Sequence, residues 1–504
     1  MNYVFHDEDL SLIEKICRIN GVEEDDLDTG IFEHRREPDV LHDFREILLS
    51  YADKRFFIVG DYDCDGICAT SIMKKLFSDL GFSSNYYIPS RRREGYGLNK
   101  RIVDTAAQNG FDVLLCVDNG IIANEELLYA KSHGLITMVI DHHEYDKEPA
   151  CDHYLHPALF PAEYSDMCAS GICALLSSNI RDDSLTLVYG GLATLADMVK
   201  VIGYNRYLIK KMMEILHRET IHPIDYLLKK RDFDYETLSF DVIPKINAVS
   251  RMEESLNVNY VVRYLLSDAS GCMAFLPKIE EINASRKQLT KEMAGMASRL
   301  SDDSRKMIVV SSETFKEGLC GLVANRLMYE KEKPVIIFSE GAGVLKGSGR
   351  APKGFDLHGY LYEARDLFSA FGGHAQAVGL TLEKERFNDL LNYIDTHDFD
   401  SLPIEKDVLC IRQDALNMGL IETLDDLKPF GQSFEEPMFC LDDPDYTRKF
   451  MIKGLYPKFV LRPDLEAISF NAGDGRRDFS KMIGHIRRDQ YHDGHLSFII
   501  EDLL

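Results

Sequence analysis

The chain has 504 residues, beyond the roughly 250–300 that one hydrophobic core serves, so several domains are expected; its 45% hydrophobic and 28% charged residues are ordinary for a globular protein. No apolar run reaches the roughly 18 residues of a membrane helix, and the acidic start MNYVFHDEDL lacks the basic-then-apolar order of a signal peptide, which excludes a membrane or exported protein as the expectation. The formal charge of −25 speaks against a phosphate-coated partner unless the acids are unevenly placed.

They are unevenly placed. Residues 1–50 hold 14 acids against 5 bases and residues 395–446 hold 14 against 3, so two flanks carry −20 and the rest of the chain only −5. Such flanks read first as solvated, solubilising surface. After the acidic segment 1–50, residues 51–230 alternate strand and helix: FFIVG, the helical ICATSIMKKLFSDLG, NYYIP, LLCV, a helix over 123–133 and ITMVI. This order predicts a doubly wound parallel sheet that binds its ligand outside the carboxyl ends of the strands. Helical patterns fill 170–230, and the connecting segment 231–300 contains a long polar amphipathic stretch over 273–300 that reads as a spacer helix. Residues 301–400 repeat the alternation as a second α/β domain, with KMIVVSS, a helix over 318–332, PVIIFSE and the Gly-rich stretches GAGVLKGSGR and FGGHAQAVGL. Short strand-like pieces over 401–504 suggest a small β-barrel or sandwich. The eleven cysteines, none in a Cys-x-x-Cys pair, read as scattered reduced thiols of a cytoplasmic protein.

The chemistry gathers at strand ends. GDYDCDG at 60–66 places Asp61, Asp63 and Asp65 in alternation just after a buried strand. An EF-hand calcium loop opens with this spacing, but it needs a preceding helix and Glu at its twelfth position, where this chain has Ile72. A phosphatase with an Asp-x-Asp nucleophile would fit Asp63 and Asp65 alone. Asp118 ends the LLCV strand, and Asp141, His142 and His143 end ITMVI, so three neighbouring strands finish in carboxylate or imidazole. A one-metal phosphatase has no use for Asp-His-His, whereas a two-metal centre needs about this many mixed ligands. Asp197, in the apolar YGGLATLADMVKVIGYNR, joins the set, because an Asp in such a context is paired, capping or ligating. Imidazole mixed with carboxylates suits Mn²⁺ better than Mg²⁺.

DYDCDG, VDNG, DHH and LADM resemble the four motifs of the DHH phosphoesterase superfamily. YYIPSRRREGYGLN, INAVSRM, EGLCGLVANRL, KGSGR, FGGHAQAVGL and KPFGQSFEEPMF narrow the likeness to its RecJ-like single-strand-specific exonucleases. The resemblance implies a DHH catalytic domain, a DHHA1-type substrate-binding domain joined to it by the long helix, and a C-terminal OB-like barrel. It implies two divalent metal ions, with Asp61 and Asp63 on the first, Asp65, His142 and Asp197 on the second, and Asp118 bridging. His143 would contact the scissile phosphate or assist the leaving group. Arg91 and Tyr96 would sit near the 5′ end of the substrate, Asn247 and Arg251 on its backbone, and Arg350, in a Gly-rich loop, and His374 on phosphates. It further implies a monomer acting on single-stranded DNA in repair and recombination, with a single-stranded-DNA-binding protein or other repair factor as partner. Three positions depart from the family pattern: Ser250 replaces a Gly, Ala351 follows Arg350 where Ser is usual, and SFEEP replaces Gly-Asn-Pro-Glu-Pro. For the barrel, single strands are held on basic surfaces with exposed aromatics, whereas the approach to this one is strongly acidic; Arg476, Arg477, Arg487 and Arg488 are the residues from which a local basic patch could form. The expected activity is removal of mononucleotides from the 5′ end. A hydrolase of short oligonucleotides or cyclic dinucleotides, and an inactive single-strand-binding scaffold, are the alternatives.

Overall fold

The structure, a computed structural model, describes residues 2–33, 36–91, 93–229, 233–399, 405–471, 478–489, 492 and 494–504. The chain divides into two compact units, one of Met1–Arg35, Met198–Tyr207 and Glu405–Leu504, the other of Arg36–Asp197 and Leu208–Ile404. Strand β1 (Asn2–His6) belongs to the first unit, and the next ten strands to the second.

In the larger unit β2 (Arg55–Val59), β3 (Ser83–Tyr87), β4 (Val113–Val117), β5 (Ile136–Ile140) and β6 (His153–Leu155) form an all-parallel sheet in the order β3-β2-β4-β5-β6. Every residue of β4 is buried, as the near-continuous apolar runs of a sheet covered on both faces require. Phe57, Val59, Leu114, Cys116 and Val139 pack one face against Ile102, Val103 and Leu127. Because β3 returns on one side of β2 and β4 on the other, the strand order reverses between β2 and β4. That is the crevice where such sheets bind ligands.

The second sheet has the order β10-β11-β9-β8-β7, from β7 (Ile308–Ser312), β8 (Val335–Glu340), β9 (Val344–Arg350), β10 (Phe368–His374) and β11 (Ala377–Glu383). Here the Gly-rich stretches depart from expectation. They are strands, and Arg350 is the last residue of β9 instead of part of a loop. A Cβ on Gly349 would lie 2.7 Å from Val378 and 2.8 Å from Leu357, so the glycine lets neighbouring side chains close over the strand. The 32-residue helix Ala269–Leu300 joins the two sheets and caps on Asp268.

The smaller unit is an eight-stranded sheet, β1-β12-β13-β17-β18-β16-β15-β14. Its further strands are β12 (Glu405–Cys410), β13 (Met438–Asp442), β14 (Arg448–Ile452), β15 (Tyr456–Arg462), β16 (Leu465–Ser469), β17 (Lys481–Arg488) and β18 (Leu496–Leu503). Strand β1 runs parallel to β12 from Asn2↔Glu405 to His6↔Leu409, so the start of the acidic N-terminal segment folds with the acidic C-terminal one. All eleven cysteines are free thiols. Among the described residues no helix is long and apolar enough to cross a membrane.

Candidate metal centre and anion cradle

Strand β2 delivers Asp61, which is 3% exposed, into the turn before the helix Cys64–Asp79. Gly66 allows that turn: a Cβ there would meet the Asp61 backbone at 2.5 Å. Asp63 is the N-cap, its Oδ1 accepting from the N–H groups of Asp65 (3.0 Å) and Gly66 (3.2 Å). Asp65, one residue into the helix, reaches a second helix start. Its Oδ2 and Oδ1 accept from the N–H groups of Ala169 (2.9 Å) and Ser170 (2.8 Å), which open the helix Ala169–Ile180. Two caps therefore fix two of the three carboxylates, Asp63 and Asp65, each helix N-terminus favouring negative charge.

Beyond β4 and β5, Asp118 and Asp141 stand in register, one residue past the pair Val117↔Ile140. Asp118 adopts φ 59°, a left-handed conformation uncommon for a side-chain-bearing residue, and its N–H donates to the Ile140 carbonyl (2.9 Å). Nε2 of His142 lies 3.3 Å from Asp118, 3.6 Å from Asp197 and 3.7 Å from Asp65. Asp197 is the C-cap of the helix Ser184–Ala196, so a capping position and a place among the carboxylates coexist in one residue. Three donor groups have ligand atoms within 4.8 Å of one another: Asp61, Asp63 and Asp118; Asp65, His142 and Asp197; and Asp118, His142 and His143.

Electrostatics mark the same residues. Burial, then the charge of Asp63, pushes the Asp61 carboxyl well above the usual range; burial and Asp65 raise Asp63. Burial, followed by Asp65, Asp63 and Asp61, raises Asp118 well above it. Asp197 is pushed up to about 9 by burial and then by Asp65 and Asp63. Burial lowers His142 despite its carboxylate neighbours. Carboxylates cannot crowd in this way and stay charged without a cation. Asp61 Oδ1 is moreover buried without a hydrogen-bond partner, so the donor set fits hard divalent cations.

Asp141 takes no part in these groups. Its Oδ1 accepts from His143 Nδ1 (2.7 Å) and from the His142 N–H (2.8 Å), and its Oδ2 from the Ile121 N–H (3.0 Å). Burial alone would raise this carboxyl, but the hydrogen bond and charge of His143 hold it low; the same bond raises His143 against the effect of burial. The Tyr96 hydroxyl donates to the Asp118 carbonyl (3.0 Å), and its ring meets His143 edge-on at 5.6 Å.

Beside the acids stands a cluster of guanidinium groups. Arg91 lies over the Tyr62 ring at 5.2 Å. Arg251 is pushed down to about 10 by burial and then by Arg91, Arg286 and Arg350. Four arginines drawn together this way form a ready anion site. Asn247, on the same helix Ile243–Arg251, has a buried Oδ1 without a hydrogen-bond partner. His374 is exposed at the end of β10, two strands from Arg350 through the register His374↔Ala377↔Arg350. Of the departures, Ser250 satisfies its hydroxyl on the Asn247 carbonyl (3.1 Å) and Ala351 joins the core of the second sheet.

Sequence reading missed three contributors. Asn119 ties the ends of β2 and β4 together, its Nδ2 donating to the carbonyls of Val59 (3.0 Å) and Val117 (2.9 Å). Its place in VDNG was a usable signal. Arg286 comes from the helix read as a mere spacer. Glu253 binds the Ser90–Arg91 turn, and only its nearness to Arg251 in the chain hinted at it.

The barrel patch needs correction. Arg487 forks onto Glu436 (2.7 Å) and Arg488 onto Asp425 (2.7 Å), so acids of the same unit occupy both, while Arg476 and Arg477 lie outside the described residues. The basic and aromatic surface is instead the hairpin β14–β15, where Tyr446, Phe450 and Met451 are exposed among Arg448, Lys449 and Lys453.

A parallel sheet whose switch-point strand ends, with two helix termini, bring six metal-type donors together defines an α/β protein with a candidate metal centre. Three family models match in chain order: the DHH family N-terminal domain over residues 55–194, the DHHA1 domain over 304–397 and the RecJ OB domain over 409–502. The chain belongs to the DHH phosphoesterase superfamily, among its RecJ-like members. It is 30% identical over 457 residues to the single-stranded-DNA-specific exonuclease RecJ of Bacillus subtilis (strain 168), a match that covers 84% of this chain and 57% of that relative, so it spans little more than half of that relative's length. The crystal structure of RecJ in complex with Mn²⁺ from Thermus thermophilus shares the fold, with a TM-score of 0.85 at 22% identity over 100% of this chain and 80% of that one. A manganese-bound exonuclease RecJ matches with a TM-score of 0.63 at 25% identity, over 73% of this chain and 96% of that one.

Proposed function

We propose that the protein is a metal-dependent phosphodiesterase that hydrolyses single-stranded DNA from its 5′ end to mononucleotides, in repair and recombination. The observation that carries the reading is the pair of three-donor groups, Asp61–Asp63–Asp118 and Asp65–His142–Asp197, packed beside four guanidinium groups. In this reading Asp61 and Asp63 hold one divalent cation, Asp65, His142 and Asp197 a second, and Asp118 serves both. Mn²⁺ is the first choice and Mg²⁺ the second; the mixed imidazole and carboxylate donors favour that order, and the RecJ relative solved with manganese bound supports it. When bound, such cations supply Lewis acidity toward a phosphate and lower the pKa of water.

The chain's own residues do the rest. Asp141 keeps His143 toward its charged form, suited to contact the scissile phosphate and return a proton to the leaving oxygen. Tyr96 braces both Asp118 and His143. Arg91 and Arg350 take phosphates, Asn247 and Arg251 the backbone next to them, and His374 the following phosphate. The hairpin β14–β15 adds a basic stacking surface for single-stranded DNA. The protein acts as a cytoplasmic monomer, and its acidic flanks leave room for a repair factor such as a single-stranded-DNA-binding protein.

The test offers a 5′-labelled single strand, a dinucleotide and a cyclic dinucleotide in parallel, with Mn²⁺. The expected result is label released as mononucleotide from the first turnovers, with affinity falling as salt rises on a slope of several phosphates. Label lost only after 3′ shortening, or turnover confined to the dinucleotides with a flat salt dependence, overturns it.

A further inference from the structure

We infer that Glu253 is a positioning residue for the end of the strand that carries the terminal phosphate: it locks the Ser90–Arg91 turn to the segment that presents Asn247 and Arg251. The inference rests on the phosphodiesterase reading, in which Arg91 meets the 5′ phosphate.

The segment between β3 and the helix Lys100–Gln108 leaves the sheet at Tyr87 and has to be held from outside. Asn259 supplies a substitute for a missing strand, its Oδ1 accepting from the Ile88 N–H and its Nδ2 donating to the Ile88 carbonyl, both at 2.9 Å. Two residues further on Glu253 takes over. Its Oε1 accepts from the Arg91 N–H and its Oε2 from the Ser90 hydroxyl, both at 2.6 Å. Ser90 Oγ in turn accepts from the Arg93 N–H (3.2 Å). The side chain of Arg91 then runs over Tyr62, between Asp61 and Asp63.

The bonds from Glu253 therefore join the backbone of one phosphate-binding arginine to a residue two positions from another. Charge-assisted bonds of this length are the strong class. Both partners are donors, so a carboxylate satisfies them with its two oxygens. An amide offers one acceptor and leaves a donor unpaired. The four guanidinium groups repel one another, which makes the spacing of Arg91 from Arg251 something the fold has to impose. Arg91, Arg251 and Glu253 line the same cleft of about 560 Å³. Releasing the turn lets Arg91 drift while every metal donor stays in place.

The experiment uses full-length wild type, E253Q, E253D, S90A and the S90A/E253Q double variant with Mn²⁺, on single strands carrying a 5′ phosphate or a 5′ hydroxyl. It reads kcat, KM and thermal unfolding. Wild type is expected to prefer the phosphate. In E253Q the KM for the phosphorylated strand rises about tenfold, the scale of one lost hydrogen bond to a charged group, with kcat within about twofold, and the preference collapses toward one. E253D restores part of the preference, and S90A adds less to E253Q than it costs alone, because the two variants share the Ser90–Glu253 bond. An E253Q protein that keeps the preference, or loses the same factor on both strands, overturns the inference. If E253Q unfolds at a much lower temperature, the preference ratios of E253D and S90A decide in the same way. A wild type that cleaves both strands without preference also overturns it, and one that cleaves neither refutes the phosphodiesterase reading itself.

Discussion

Asp118 and Asp141 end adjacent strands one residue past a shared register, and their surroundings give them different work. The Asp118 carboxylate faces His142 Nε2 and the Asp61 and Asp63 side chains, and burial, followed by the charges of Asp65, Asp63 and Asp61, raises it. Asp141 accepts four hydrogen bonds, two of them from His143, and is held low. D118N is therefore expected to lose Mn²⁺-dependent turnover by at least about a hundredfold, while D141N, which only mis-orients His143, loses about 10–100-fold. D141N should keep its Mn²⁺ stoichiometry in a calorimetric titration, and D118N should not. Near-normal cleavage by D118N would remove it from the shared position. Asp61, Asp118 and His142 were readable in the sequence because each follows an apolar strand run within two residues, Asp63 and Asp65 through their spacing from Asp61, and Asp197 as an acid in an apolar helical stretch. Asn119 had a signal in VDNG, but Glu253 had only its nearness to Arg251 and Arg286 had none. Their roles rest on contacts with residues far away in the chain, such as Glu253 with Arg91 at a separation of 162, and on bond directions that no local pattern encodes.

At the scale of elements, the apolar runs named four of the five strands of the first sheet to within a residue or two, while β6, three residues long, carries too short a run to be seen. The Gly-rich runs misled. Glycine is depleted from strands, but β9 places Gly347 and Gly349 where Phe338, Val378 and Leu357 need the space, a fact visible only once the neighbouring side chains are in place. The basic patch of the C-terminal sheet failed in a similar way, since charge in a sequence says nothing of which acid sits opposite. On β14, four of five residues are exposed, and Lys458 of β15 lies 5.7 Å over the Phe450 ring. The variant K449E/F450A should lower affinity for single-stranded DNA and reduce the salt slope by about 1, the share of one phosphate contact, while hydrolysis of a dinucleotide stays unchanged. An unchanged slope, read by anisotropy across a salt series, would take the hairpin out of the binding surface.

For the whole molecule, the charge of −25 resolves into acidic flanks, whose outer parts, Met1–Arg35 and the stretch from Glu405 onward, share the smaller unit through the pairing of β1 with β12, and a buried acidic centre in the larger one. That centre sets how stability depends on pH. Asp61, Asp63, Asp118 and Asp197 bind protons more tightly folded than unfolded, so the native state carries more protons than the unfolded chain above the unfolded carboxylate value of about 4. Stability without metal must then fall as pH rises from there toward the value of about 9 reached by Asp197. Raised His143 works in the same direction as it loses its proton. Lowered His142 opposes it near neutrality, and lowered Asp141 matters only in acid. Divalent cations bind the deprotonated form and reverse the slope, because each proton displaced is one the folded state no longer has to release. Thermal unfolding between pH 6 and 8 in chelator should show a midpoint that declines with pH. Mn²⁺ held at one concentration, about a hundred times its dissociation constant at pH 6, should add about 2.7 kcal/mol of stability per site there, an increment that grows with pH because the apparent affinity does. A D61N/D197N variant should flatten the decline in chelator and lose most of the increment. A midpoint in chelator that rises through this window, or an increment indifferent to pH, would mean that these carboxyls are charged and paired by something other than a metal ion.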